Sequence, residues 1–150
     1  CIDLSKSLLD LFNESDDRYK EINLFLNKIQ ENLLDIGSYI ATDRDSDNIR
    51  KIDRTNIDLT SDTLLLESNI DYIDRNLPKL TNFILPKGNV HLTRAICRRL
   101  ERHIVSYNKN IMIEPSILIY INRLSDYFFV LARYLNNGNE ISYKKNSSLN

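Results

Sequence analysis

Apolar residues recur along most of the chain at alternating steps of three and four, the signature of helices with one buried face. Leu4, Leu8, Leu11 and Phe12 predict a short first helix, stopped by the turn- and cap-forming string Asn13-Glu14-Ser15-Asp16-Asp17. From Tyr19 the positions Tyr19, Ile22, Leu26, Ile29, Leu33, Ile36 and Ile40 hold the rhythm unbroken and predict a long helix with a bundle-type seam. Residues 42 to 58 abandon it for Asp, Arg, Asn and Ser, so a solvated loop is expected there.

Thr60 or Ser61 is placed to cap a third helix, with Asp62 near its positive end. Its buried stripe would be Leu66, Ile70, Ile73 and Leu77, and Pro78 would end or kink it. Asn82 to Asn89, closed by Pro86-Lys87-Gly88, reads as an ordered connection rather than a strand. A fourth helix is predicted from Val90 to Tyr107. Pro115 suits the first turn of a fifth, whose seam is Ile117, Ile121, Leu124, Phe128, Leu131 and Leu135. Asn136-Asn137-Gly138 stops that helix, and the polar tail from Lys144 to Asn150 is expected to fray. Five helices with short connections predict an all-α fold, a five-helix antiparallel bundle forming a single domain over residues 1–150. The seams run longer than one monomer's core requires, which burial between subunits would explain.

Composition narrows the picture. A chain of 150 residues, 42% hydrophobic and 27% charged, can bury one core, and three glycines with three prolines are too few for a turn-rich β architecture. Twenty basic residues against 21 acidic ones leave no global field to draw the chain to nucleic acid or an anionic membrane, so neither is expected as a partner. Any anion site must be local. No apolar run approaches the roughly 20 residues of a membrane span, and no leader precedes the first predicted helix. Cys1 and Cys97 cannot make a disulfide framework and favour a reducing compartment, cytoplasmic or, in a eukaryote, the mitochondrial matrix. Because Cys1 falls directly inside a predicted helix, the natural N-terminus is expected upstream.

Candidate chemistry concentrates on the last two helices. Arg94, Arg98, Glu101 and Arg102 recur at spacings of three and four and share a face, with Arg99 beside them. Spacing alone favours a solvated face pairing with the many aspartates; the alternative is a polyanion gripped bidentately by arginine. Asn122 and Asp126 stand one turn apart near Arg123 and Arg133, where mutual satisfaction is the default. Tyr127, Phe128 and Phe129 read as core or subunit interface. Phosphate-loop, dinucleotide-loop, Cys/His metal and di-iron patterns are all missing, and His91 and His103 read as structural. A nucleotide would have to be held without a P-loop.

The string Phe83-Ile84-Leu85-Pro86-Lys87-Gly88, followed by His91-Leu92-Thr93-Arg94-Ala95-Ile96-Cys97-Arg98-Arg99-Leu100-Glu101-Arg102, resembles a known signature. It is that of the ATP:cob(I)alamin adenosyltransferases of the propanediol-utilisation and human mitochondrial type, written F-I-L-P-G-G and H-x-x-R-x-x-C-R-R-x-E-R. A second block from Tyr120 to Arg133 is similar to the family's Y-L-N-R-L-S-D-x-L-F-x-x-A-R, with weaker similarity over Ile29 to Thr42 and at Ile2-Asp3. The resemblance implies a ferritin-like bundle assembling as a homotrimer, with active sites at subunit boundaries. It implies transfer of the 5'-deoxyadenosyl group of ATP to the cobalt of cob(I)alamin, with release of triphosphate. ATP, cobalamin and Mg2+ would be required, and a cobalamin-dependent mutase or dehydratase would take the product.

By the same resemblance Arg98 and Asn122 bind ATP, with Arg99 and Glu101 beside the nucleotide or in its supporting shell. Arg94 pairs with Asp3 of a neighbouring subunit. Phe83 lies against the corrin and displaces its lower axial ligand, so Phe83 and Arg98 are the catalytic candidates. The sequence also departs from the pattern. The family's T-x-T-G-D-x-G ATP loop would precede Cys1, Lys87 replaces a glycine, the span from Gly88 to His91 is short, and Leu4 and Lys6 replace polar residues of the first helix. Two other readings stay open: a non-catalytic bundle that delivers adenosylcobalamin, and a docking face for an acidic partner.

Overall fold

The computed structural model describes residues 17–42, 57–137, 139 and 141–143. They form four helices: α1 Asp17–Ala41, α2 Thr60–Asp74, α3 Asn89–Tyr107 and α4 Pro115–Leu135. These match the second to fifth predicted helices to within a few residues, so the all-α expectation stands with four helices rather than five. The helix predicted over residues 4–12, most of the predicted loop and the predicted tail lie outside the described residues. No described helix is long and apolar enough to cross a membrane.

Side-chain pairs fix the direction of each helix. Phe25 meets Tyr127 edge-on at 5.1 Å, Asn32 donates to the Tyr120 hydroxyl at 3.2 Å, and the Tyr39 hydroxyl accepts the Glu114 N–H at 3.2 Å, so α1 runs antiparallel to α4. Leu59 N–H reaches Ser116 Oγ at 3.3 Å, while Glu67 and Asp74 meet Arg123 and Arg133; α2 is therefore parallel to α4. α3 returns antiparallel, with Glu101 level with Asn122 and Lys87 level with Asn136. The result is an antiparallel bundle with α4 at its centre.

The sequence of α4 explains that position. Tyr120, Leu124, Tyr127, Phe128 and Leu131 all lose their contact with solvent, each large apolar side chain contributing about 1.5–3 kcal/mol on burial. Burial pushes the Tyr120 hydroxyl up to about 12, and that of Tyr127 higher still. Neither phenol therefore ionises near neutral pH. Of the seam expected on α4, Leu135 alone stays partly exposed.

The start of α2 differs from expectation. Neither Thr60 nor Ser61 caps it; Asp58 Oδ1 accepts both the Thr60 N–H at 2.9 Å and the Thr60 hydroxyl at 2.6 Å. These hydrogen bonds hold the Asp58 carboxyl below its usual range, and its charge sits at the positive end of the helix. Regular α2 ends at Asp74; Arg75 keeps helical angles, and i−3 hydrogen bonds from the N–H groups of Asn76 and Leu77 tighten the chain into a turn before Pro78.

α2 and α3 each pack on α4 but barely touch one another. Between them runs a groove whose floor is one stripe of α4: Asn122, Arg123, Asp126, Phe129 and Arg133. At one end of the bundle the connection before α3 pairs with the chain beyond α4. Leu85 N–H donates to Ile141 O at 2.8 Å and Tyr143 N–H to Phe83 O at 2.6 Å, around an antiparallel bridge between Ile84 and Ser142. The expected connection is thus ordered by a partner segment. The chain reaches it through Asn137, whose φ of 51° is a left-handed conformation that asparagine tolerates.

Candidate functional site

One carboxylate organises the rim of the groove. Glu101 and Arg98 lie one turn apart on α3 and form an ion pair through Oε2 and Nη1. The other oxygen of Glu101 accepts the side-chain amide of Asn122, across on α4, at 2.8 Å. Three predicted site residues from two helices therefore converge. The Glu101 side chain is 17% exposed and that of Arg98 49%, so the anchor is shielded while the guanidinium is half in solvent. Only Nη1 of Arg98 is engaged by Glu101, and its planar fork retains donors for oxyanions.

The remaining arginines divide. Arg99 and Arg102 are exposed and form no ion pair with a described residue. Arg102 lies one helical turn beyond Arg98, about 40° around the axis from it, and stays in solvent. Arg94 faces inward, its guanidinium 5.0 Å from the Phe129 ring centroid and its Nε buried with no hydrogen-bond partner among the described residues. Asp3, the expected partner of Arg94, lies outside the described residues.

Asn122 and Asp126 do not satisfy each other. Asp126 pairs with Arg123 at 2.9 Å, and Arg123 Nε also lies 3.1 Å from Glu67. That second contact is off the N–H axis, so it is an ion contact rather than a hydrogen bond. Below it, Arg133 is buried with 3% of its side chain exposed, donating to Pro78 O at 2.6 Å and to Asp74 at 3.3 Å. Asp71, Asp74, Leu80, Phe129 and Arg133 line a cleft of about 630 Å³ at this end of the groove.

Phe83 is 85% exposed, the most exposed aromatic ring among the described residues. It sits at the end of the bundle marked by the contact between Asn136 and Lys87. The helix between Asn122 and Asn136 spans about 20 Å, so within one chain Phe83 does not join the cluster of Arg98, Glu101 and Asn122. Cys97, by contrast, is core: burial pushes its thiol up to about 11, and it offers no nucleophile at neutral pH.

The sequence profile of the cobalamin adenosyltransferases matches residues 1–135. The chain belongs to the cobalamin adenosyltransferase family. It is 42% identical over 129 residues to the corrinoid adenosyltransferase MMAB of Bos taurus, covering 81% of this chain and 53% of that protein. It is 36% identical over 124 residues to the corrinoid adenosyltransferase of Bacillus subtilis, covering 79% and 60%. The chain thus spans little more than half the length of these curated relatives. Among solved structures, a phenylalanine-to-alanine variant of a PduO-type ATP:corrinoid adenosyltransferase from Lactobacillus reuteri, complexed with cobalamin and ATP, matches with a TM-score of 0.74 at 32% identity. That match covers 96% of this chain and 82% of the other.

In this cobalamin adenosyltransferase family member, sequence reading missed the part played by Phe129. Expected as core or subunit interface, it packs half-buried against the core and also lies beside Arg94, Arg133 at 6.0 Å and the ring of His91 at 6.2 Å. The available signal was the spacing of His91 and Arg94, which puts an imidazole and a guanidinium on one face of α3.

Proposed function

We propose that the protein is an ATP:cob(I)alamin adenosyltransferase. The observation that carries the reading is the convergence of Arg98 and Asn122 on Glu101, at the rim of an open groove, in a chain of this family. Cob(I)alamin is a strong nucleophile. Its cobalt attacks C5' of ATP, a cobalt–carbon bond forms, the C5'–O bond breaks, and triphosphate leaves with the electron pair. The charge that grows on the leaving oxygens is met by Arg98, while the Asn122 amide orients the nucleotide. Glu101 holds both groups ready, which limits the reorganisation required at the moment of reaction.

Phe83 is assigned to the corrin. An apolar ring offers the cobalt no donor, so it favours loss of the lower axial ligand and makes one-electron reduction of Co(II) by an external reductant easier. The distance between Phe83 and the Arg98 cluster in one chain is reconciled by a homotrimer in which adjoining protomers complete each site. In that assembly Arg94 would pair with Asp3 of a neighbour, as the family resemblance implies. A helix over residues 4–12 would bring the bundle to five.

Mg2+ would arrive with the triphosphate. Among the described residues no three Asp, Glu, His or Cys side chains gather to hold a metal, and Mg2+ bound through phosphates and water needs at most one or two protein carboxylates. Cys97, a free buried thiol, suits a reducing compartment, cytoplasm or mitochondrial matrix. A cobalamin-dependent mutase or dehydratase would receive the product.

The test is direct: full-length protein is mixed with ATP, Mg2+ and chemically reduced cobalamin, and adenosylcobalamin is followed by absorbance and chromatography. Turnover is expected. A folded protein that binds both substrates without turnover would be a delivery bundle instead.

A further inference from the structure

The two walls of the groove differ in the sign of their charge. On α2, Glu67, Asp71 and Asp74 follow one another at steps of four and three, which sets them within an arc of about 60° around the helix. All three face the groove: Glu67 meets Arg123 at 3.1 Å, Asp74 meets Arg133 at 3.3 Å, and Asp71 lines the cleft beside Phe129. On α3 the same kind of spacing brings Arg94, Arg98 and Glu101 to the other edge, with Arg94 5.0 Å from that Phe129 ring. α1 lies elsewhere. Its partners Tyr120 and Tyr127 point from the side of α4 opposite Asn122, Asp126 and Phe129.

The carboxylates also decide which arginines can serve a ligand. Arg123 is occupied by Glu67 and Asp126, and Arg133 is buried, donating to Asp74 and to the Pro78 carbonyl. Arg98 keeps donors in solvent, so phosphate oxygens are drawn to α3 rather than to the groove floor. A triphosphate there carries several negative charges and is repelled from across the groove by the wall of α2. Floor arginines offset Glu67 and Asp74, whereas Asp71 forms no ion pair with a described residue. We propose that α2 is an electrostatic guide rail: Asp71, with Glu67 and Asp74 beside it, holds the triphosphate of ATP against α3 and speeds its departure once the C5'–O bond has broken. This rests on the reading of Arg98 as an ATP ligand. It makes Asp71 a positioning residue on a helix that contributes none of the candidate ATP ligands.

The test uses the full-length protein with Asp71→Asn, Asp71→Lys and, as a change of charge on the exposed side of α1, Asp35→Asn. Asp71 is exposed, so its variants leave the packing alone. Two readouts are taken: binding of inorganic triphosphate by calorimetry, and, in turnover, inhibition by triphosphate together with KM for ATP and for cobalamin. At low salt Asp71→Asn is expected to tighten triphosphate about threefold and Asp71→Lys about tenfold, the scale of one and two unit charges acting across a groove. The gain in Asp71→Asn should vanish in about 0.5 M salt, where the screening length shrinks to a few Å. KM for cobalamin, and every parameter of Asp35→Asn, should match the wild type. Unchanged triphosphate binding in both Asp71 variants would overturn the proposal. An equal gain in Asp35→Asn, or a gain in Asp71→Asn that survives salt, would do the same. Absence of turnover in the wild type would instead remove the enzymatic reading, and triphosphate binding would still decide the role of the wall.

Discussion

Asn122 on α4 gives its side-chain amide to Glu101 on α3 at 2.8 Å, and the same carboxylate holds Arg98. A residue that touches both candidate ATP ligands, yet is itself mostly shielded, sets their geometry rather than binding charge directly. Glu101→Gln keeps the shape and removes the charge that steadies the guanidinium. We predict a fall of about tenfold in kcat/KM for ATP, the scale of one charge-assisted hydrogen bond, with KM for cobalamin unchanged. The melting temperature should barely move, because Arg98 is half in solvent and such pairs contribute little to stability. Equal loss of stability and activity would refute the separation.

Phe83 and Phe128 make a contrasting pair. Phe128 is fully buried and Phe83 is 85% exposed. Phe128→Ala is predicted to cost about 3–5 kcal/mol in denaturant unfolding, through lost contacts and a cavity. Phe83→Ala should cost less than about 0.5 kcal/mol while depressing adenosylcobalamin formation at least tenfold. A strongly destabilised Phe83 variant would mean that the ring is packed in a way this structure lacks.

Arg133 and Asp74 form one ion pair with unequal burial. Arg133→Ala leaves the Pro78 carbonyl without its donor and opens a space beside Phe129, so a loss of about 2–4 kcal/mol is expected. Asp74→Asn should cost under about 1 kcal/mol, since that carboxylate is 60% exposed and water can replace the arginine. Urea titrations of the two variants decide it; similar losses would show that the pair itself, and not the buried guanidinium, is the stabilising element.

Burial raises the Cys97 thiol from 9.0 to about 11. An unfolded chain therefore releases this proton first as pH rises, and the native state loses stability. The contribution is whole below pH 9, fades between pH 9 and 11, and amounts to something on the order of 2 kcal/mol. Iodoacetamide at pH 8 should label this position slowly in native protein and rapidly in guanidinium. Comparable rates in the two states would contradict the burial.

Much of the bundle can be read from spacing, because helical burial is a local property: Leu26, Ile29 and Ile36 on α1 are buried as their positions foretell. The proximity of Arg98 and Glu101 follows from the same rule. The contact of Glu101 with Asn122 does not, since it joins residues 21 apart through the packing of two helices, and only the family resemblance pointed to it. Asp58, rather than Thr60 or Ser61, supplies the accepting side chain at the start of α2, because neighbouring short polar side chains compete for the same N–H groups. The ribbon of residues 83–85 and 141–143 left no periodic trace, being too short to alternate more than once.

Helix α1 keeps its backbone at a distance from the other three and meets α4 through the long side chains of Phe25, Asn32 and Tyr39. Detaching it would nonetheless expose Leu26, Ile29 and Ile36 along with the face of α4 they cover, so side-chain burial rather than backbone proximity holds this helix in place. What fastens the first long helix is accordingly a row of interlocked side chains and not close approach of its main chain.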